Sequence, residues 1–270
     1  MKLAIHHDTT YRYADQVRAS IQYLRLTPQS SARQRVLDWH LELPPSAHAQ
    51  RDGHGNILHV LTLDEPHQSI VIGARGQVEI DESCESESGE GSPLPYLRST
   101  ALTAPDAALR EFARACCGER RDRAALIELL EALHRRMPFT PGVTHVDTPA
   151  AEAFALGLGV CQDHTHVFLA CARSLGIPAR YVSGYLCTAG CSELASHAWA
   201  EAWIDGAWYS FDVTNRLTRP ARHLKLAVGL DYLDACPVRG MRRGGQVQMH
   251  AQLLEAQLLP VQPGLACQAQ

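Results

Sequence analysis

The sequence predicts an α+β protein in which an antiparallel β-domain is followed by a helical block and then by a second set of strands. Three observations carry this. Residues 1 to about 80 break into short extended runs divided by Gly, Asn and Asp. Residues 107 to 175 repeat their apolar positions at helical spacing, and residues 179 to 212 hold extended runs, two of them joined by Asp205-Gly206.

Leu3-Ala4-Ile5 and Thr9-Thr10-Tyr11-Arg12-Tyr13 open the β-rich part, and Val36 to Leu43 alternates with the period of two of a half-buried strand. Asp52-Gly53-His54-Gly55-Asn56 is turn chemistry. Ile57 to Leu63, Ser69 to Ile72 and Gln77 to Ile80 are the strands that follow it. Asp81 to Pro95 changes character: it is acidic, has no basic residue, and is rich in Ser, Gly and Pro. It reads as a solvated linker that closes an N-terminal β-rich domain over 1–95.

Leu109, Phe112, Ala113 and Cys116 form the stripe of a first helix that Gly118 can close. Asp122 is placed to cap a second, with Leu126, Leu129, Leu130, Leu133 and Met137 on its apolar face and Pro138 beyond its end. Thr148-Pro149 predicts an N-cap followed by proline at the first helical position, with Gly157 as the stop. A fourth helix runs from about Cys161 to Leu175. Ala179 to Leu186 is a strand, and His197 to Ile204 and Ala207 to Asp212 form a hairpin about Asp205-Gly206. Residues 96–216 thus form a core. Residues 217–270 form a C-terminal segment whose strands, Leu224 to Val228 and Gln246 to His250, pack on the other parts.

A formal net charge of −4 gives no electrostatic reason to expect nucleic acid or an anionic membrane as partner. No apolar run approaches the roughly 20 residues of a membrane span. Met1 to Tyr13 is interrupted by His6, His7 and Asp8, unlike a secretory signal, so a cytoplasmic location is expected. Nine cysteines, an odd number at irregular spacing, then read as mostly reduced thiols, with Cys187 and Cys191 able to form a labile disulfide.

Cys161 differs from the other eight. It follows Gly157-Leu158-Gly159-Val160 and opens a helix, where the unpaired N–H groups and the partial positive charge of the N-terminus favour a thiolate. The same N–H groups can stabilise the oxyanion formed when sulfur attacks a carbonyl. A two-residue turn at Asp205-Gly206 sets paired positions that sum to 411. Asp212 then lies opposite Trp199, a diagonal neighbour of His197 on one face, and a slip of one residue would separate the two. Cys161 as nucleophile, His197 as proton carrier and Asp212 as the group orienting the imidazole make a consistent set. Gln162, Trp199 and Glu201 are expected to wall the site. Cys171, ten residues on in the same helix, reads as a core thiol, and Asp163 as compensation of the helix dipole. Cys161, His164 and His166 lack zinc-site spacing, so neither metal nor cofactor is expected.

Gly159-Val160-Cys161-Gln162-Asp163 and the run from Ala172 to Tyr185 closely resemble the cysteine block of bacterial transglutaminase-like proteins. His197-Ala198-Trp199-Ala200-Glu201 resembles their histidine block. Phe211-Asp212-Val213-Thr214-Asn215 resembles their aspartate block, with Val213 where proline is usual. Tyr11-Arg12-Tyr13, Leu24 to Pro28 and Asp52 to Asn56 are similar to the β-rich N-terminal domain of that branch. The resemblance implies a papain-like α+β core with a Cys161-His197-Asp212 triad. It also implies a thioester acyl-enzyme made from a peptide or protein amide, with water (protease or amidase) or an amine (transamidase) as acceptor. An acyltransferase of the arylamine N-acetyltransferase kind, a non-catalytic module on this fold and a metalloprotein are the competing readings.

Overall fold

The computed structural model describes residues 1–89, 91–187, 194–219 and 222–259. Its N-terminal part holds six strands, β1 (Lys2–Val17), β2 (Ala19–Thr27), β3 (Gln34–Glu42), β4 (Ala47–Arg51), β5 (Ile57–Leu63) and β6 (His67–Ile80). Alternation decides which faces are buried. Leu3, Ile5, His7 and Thr9 of β1 point inward, as do Ser20, Gln22, Leu24 and Leu26 of β2. These strands form two antiparallel sheets, each completed by a strand from the far end of the chain. One has the order β13-β1-β6-β3 and the other β12-β2-β5-β4, with β12 spanning Val238–Arg243 and β13 Val247–Leu259.

The core has helices α1 (Ala107–Cys117), α2 (Arg123–Arg136), α3 (Ala150–Leu156), α4 (Cys161–Ser174) and the short α5 (Tyr232–Ala235). They accompany a five-stranded antiparallel sheet of order β11-β8-β9-β10-β7, made of β7 (Ser86–Glu87), β8 (Ala179–Cys187), β9 (Leu194–Ile204), β10 (Ala207–Phe211) and β11 (His223–Gly229). The Asp106 and Asp122 side chains cap α1 and α2 by accepting from Leu109 N and Ala125 N. The third helix begins one residue later than the sequence predicts. Pro149 is its N-cap, because the Thr148 hydroxyl is taken by the backbone N of His145.

The acidic stretch is not wholly solvated. Ser86 and Glu87 pair with Tyr209 and Trp208 of β10, and Glu87 is buried against Lys225, because a carboxylate beside a buried cation is more stable paired than hydrated. The C-terminal segment serves both parts, with β11 in the core sheet and β12 and β13 in the N-terminal ones. A shared apolar core binds the two. Tyr185, Leu194, Leu224 and Leu226 of the core sheet pack with Leu3, Ile5, Leu24 and Ile72. Burial of that area, at about 25 cal/mol per Å², holds the N-terminal sheets against the core sheet. No helix among the described residues is long and apolar enough to cross a membrane.

Candidate active site

The hairpin turns as its dipeptide requires. Asp205 and Gly206 both have positive φ, and the ladder pairs Ala207 with Ile204 through Phe211 with Ala200, every pair summing to 411. His197, Trp199 and Glu201 therefore share one face of β9. Ala198, Ala200, Ala202 and Ile204 turn to the helical core. Asp212 follows β10 in a bridge with Leu217, and its Oδ2 lies 2.8 Å from His197 Nε2.

Cys161 opens α4 half-buried and lines the same cleft as His197, whose pKa it helps to raise. Since Nε2 of His197 serves Asp212, Nδ1 is the nitrogen left for the sulfur. Asp163 does more than offset the dipole. Its Oδ2 accepts from the backbone N of Val160 (2.8 Å) and from the Thr144 hydroxyl (2.7 Å), which ties the glycine-rich approach to the first turn of the helix. Burial alone would lower the pKa of His197. Its hydrogen bonds with Asp212 and Cys161 outweigh that and raise it to about 9. The Asp212 carboxyl would likewise be pushed up by burial, yet hydrogen bonds from His197 and His223 hold it well below the usual carboxylate range.

Cys161, Gln162 and His197 line a cleft of about 350 Å³ whose opposite wall carries Tyr11, His250 and Gln252 from the N-terminal sheet. Tyr11 and His250 stack at 4.7 Å between ring centres. Among the described residues, no Asp, Glu, Lys or Arg lines the cleft. A second cavity, of about 250 Å³, is lined by Glu87, Arg180 and Lys225, and Lys225 there is ion-paired with Glu87. Of the three expected wall residues, Gln162 lines the Cys161 cleft and the other two do not. Trp199 is buried behind His197, with its ring 6.1 Å away, and Glu201 is buried in ion pairs with Arg180 and Lys225. Gly184, opposite His197 in β8, gives Trp199 its place. A Cβ there would stand 2.0 Å from the Leu224 carbonyl and 2.9 Å from Trp199 Cη2.

The other cysteines separate as thiols of different character. Cys171 is fully buried and burial raises its pKa; Cys117 is pushed up to about 11, first by burial. Cys187 is also buried, while Cys191 and the bond suggested between them lie outside the described residues. Cys236 is the other thiol lining the cleft, with its pKa raised by burial.

Residues 3–79 match the bacterial transglutaminase-like N-terminal region, and residues 110–213 match the transglutaminase-like superfamily. An uncharacterized protein of Mycobacterium tuberculosis is 31% identical over 273 residues, which span 88% of this chain and 86% of that one. The chain belongs to the bacterial transglutaminase-like family. An uncharacterized protein of Mycobacterium leprae is 29% identical over 262 residues, covering 90% of this chain and 94% of its own. Among solved structures, a candidate cysteine protease from Cytophaga hutchinsonii aligns with a TM-score of 0.78. It has 22% identity and covers 98% of this chain and 92% of its own, a likeness of fold.

Sequence reasoning misses two residues of this transglutaminase-like site. His223 is fully buried, with Nε2 2.9 Å from Asp212 Oδ2. Asn215 donates from its backbone N to Oδ1 and from Nδ2 to Oδ2 of the same carboxylate. Asn215 was visible inside the aspartate block without a role. His223 has no local motif, since it reaches the site only because β11 pairs with β8. One ligand-type atom each of His197, Asp212 and His223 lie within 4.8 Å of one another, a grouping that could also hold a cation.

Proposed function

We propose that this protein is a cysteine-nucleophile enzyme acting on amides through a thioester acyl-enzyme, with Cys161 as nucleophile, His197 as acid and base, and Asp212 as the group orienting His197. The observation that carries the reading is His197 held between a buried carboxylate and a thiol at a helix N-terminus. The Cys161 sulfur attacks the amide carbon, and the carbonyl oxygen takes negative charge facing the first-turn N–H groups of α4. His197 gives its Nδ1 proton to the departing amine, leaving a thioester. Water or a second amine then attacks, His197 takes the incoming proton, and the sulfur leaves as thiolate. The cleft lining, free of Asp, Glu, Lys and Arg among the described residues, suits an uncharged carboxamide of a peptide or protein.

Mass spectrometry of a peptide pool containing glutamine and amines tests the proposal. A crosslinked pair lighter by about 17 Da marks transamidation, and a peptide heavier by about 1 Da marks deamidation. Cys161→Ala is expected to abolish either signal without loss of fold. A Cys161→Ala protein that still turns over the wild-type substrate would end the assignment.

A further inference from the structure

We propose that His223 is a positioning residue of this site, whose Nε2–H holds the Asp212 carboxylate on His197 while its own ring stays neutral. This rests on the roles proposed above for Cys161, His197 and Asp212.

A carboxylate oxygen can only accept, so both imidazoles that contact Asp212 Oδ2, at 2.8 and 2.9 Å, donate from Nε2. The two rings differ in what stands at the other nitrogen. Nδ1 of His197 is left for Cys161, whose thiolate compensates a second proton. Nδ1 of His223 is buried and has no hydrogen-bond partner among the described residues, so a proton placed there would be a buried donor with nothing to accept it. The Arg33 guanidinium, which donates to the His223 carbonyl at 3.2 Å, adds a nearby positive charge that further disfavours protonation. Two imidazoles on one oxygen thus divide the work, with His223 a fixed donor and His197 the ring that titrates.

The other donor to that carboxylate is weaker support. Asn215 is exposed, so water competes for its amide, whereas His223 is fully enclosed. Trp199 secures the arrangement mechanically. Its ring meets His223 edge-on at 4.8 Å and lies nearly parallel to His197. A buried donor of this kind keeps Asp212 ionised and aimed without supplying a charge that would compete with His197 for it.

The test needs no substrate. Substoichiometric iodoacetamide is applied across a pH series, and alkylation at Cys161 is read by mass spectrometry in wild type, His197→Ala, His223→Phe and His223→Gln. Glutamine keeps an N–H donor near the Nε2 position, and phenylalanine keeps the volume without a donor. His223→Phe is expected to slow labelling of Cys161 near pH 6 by about tenfold and to move the pH profile toward that of His197→Ala, whereas His223→Gln stays within about threefold of wild type. Circular dichroism and thermal melts confirm that each variant is folded. A folded His223→Phe protein that labels like wild type overturns the proposal. So does a His223→Gln protein that falls as far as His223→Phe, or stoichiometric bound metal that His223→Phe removes. If His197→Ala itself leaves Cys161 labelling unchanged, it is the thiol–imidazole reading that fails.

Discussion

Glu201 and Asp212 are two carboxylates on one hairpin, 2% and 1% exposed, with opposite surroundings. Glu201 is flanked by permanent cations. Arg180 Nη2 and Lys225 Nζ each stand 2.6 Å from it and, against the upward push of burial, hold its pKa at about 2. Asp212 has no Lys or Arg among its described hydrogen-bond partners; it has two imidazoles and the side-chain amide and backbone N–H of Asn215. The charge of Glu201 is already neutralised and stays so at every ordinary pH. The charge of Asp212 is compensated only when His197 takes a proton, which a nearby thiol can supply. Equal burial therefore gives a structural ion cluster in one place and, in the function proposed above, a proton-transfer device in the other, and the partners decide which.

Asp212→Asn gives the sharpest separation. It keeps the shape, removes the charge, and is expected to cost on the order of 10³–10⁴-fold in kcat with a modest change in Tm, as read by turnover of whichever amide the mass-spectrometric screen finds. Glu201→Gln should do the reverse, leaving Arg180 and Lys225 undercompensated. It is expected to lower stability by about 3–5 kcal/mol in denaturant melts, while folded protein keeps its activity within about threefold. Loss of turnover by a folded Glu201→Gln enzyme would mean that the two clusters are not separable.

The pH dependence of stability comes next. The pKa of His197 is raised from 6.5 to about 9, so its contribution is fully present below about 6.5 and is lost as pH rises through about 9. The Tm difference between wild type and His197→Gln should therefore shrink between about pH 7 and 9.5, and a constant difference would contradict the charged imidazole. Glu201 has the opposite sign, its contribution being present above about 4.5 and lost only as pH falls toward about 2. The smallest effect is expected for Trp199→Phe. The indole N–H has no hydrogen-bond partner among the described residues and an aromatic ring remains against His197, so activity should stay within about threefold at a stability cost of about 1–2 kcal/mol, measured by melts and rate assays.

Much of the site was legible because its geometry is local. The positive-φ turn at Asp205-Gly206 fixes the ladder and with it the diagonal meeting of His197 and Asp212, and the glycines before Cys161 mark where α4 opens. Trp199 and Glu201 were placed on the correct face by the same alternation. Their role as wall was misjudged because period two says which face a side chain takes, not what covers that face. Val182, Val228 and the His223 ring pack on Trp199, and the Arg180 and Lys225 cations pair with Glu201.

The sequence by itself determined helices α1 to α4, the hairpin register and the residues of the three blocks, since turn dihedrals, helix caps and hydrophobic period depend on residues a few positions apart. It did not announce β2, β4 or β12, and it divided β1 and β6 each into two shorter runs that sheet pairing joins. Only the tertiary structure decided that β11 brings His223 to Asp212, that the pairing of β1 with β13 brings Tyr11 and His250 to the cleft of Cys161, and that Glu87 leaves the acidic stretch to meet Lys225. Those contacts join residues that the ladder pairs or the packing bring together from distant parts of the chain. Their energy comes from long-range strand pairing and from desolvated partners that no local pattern announces.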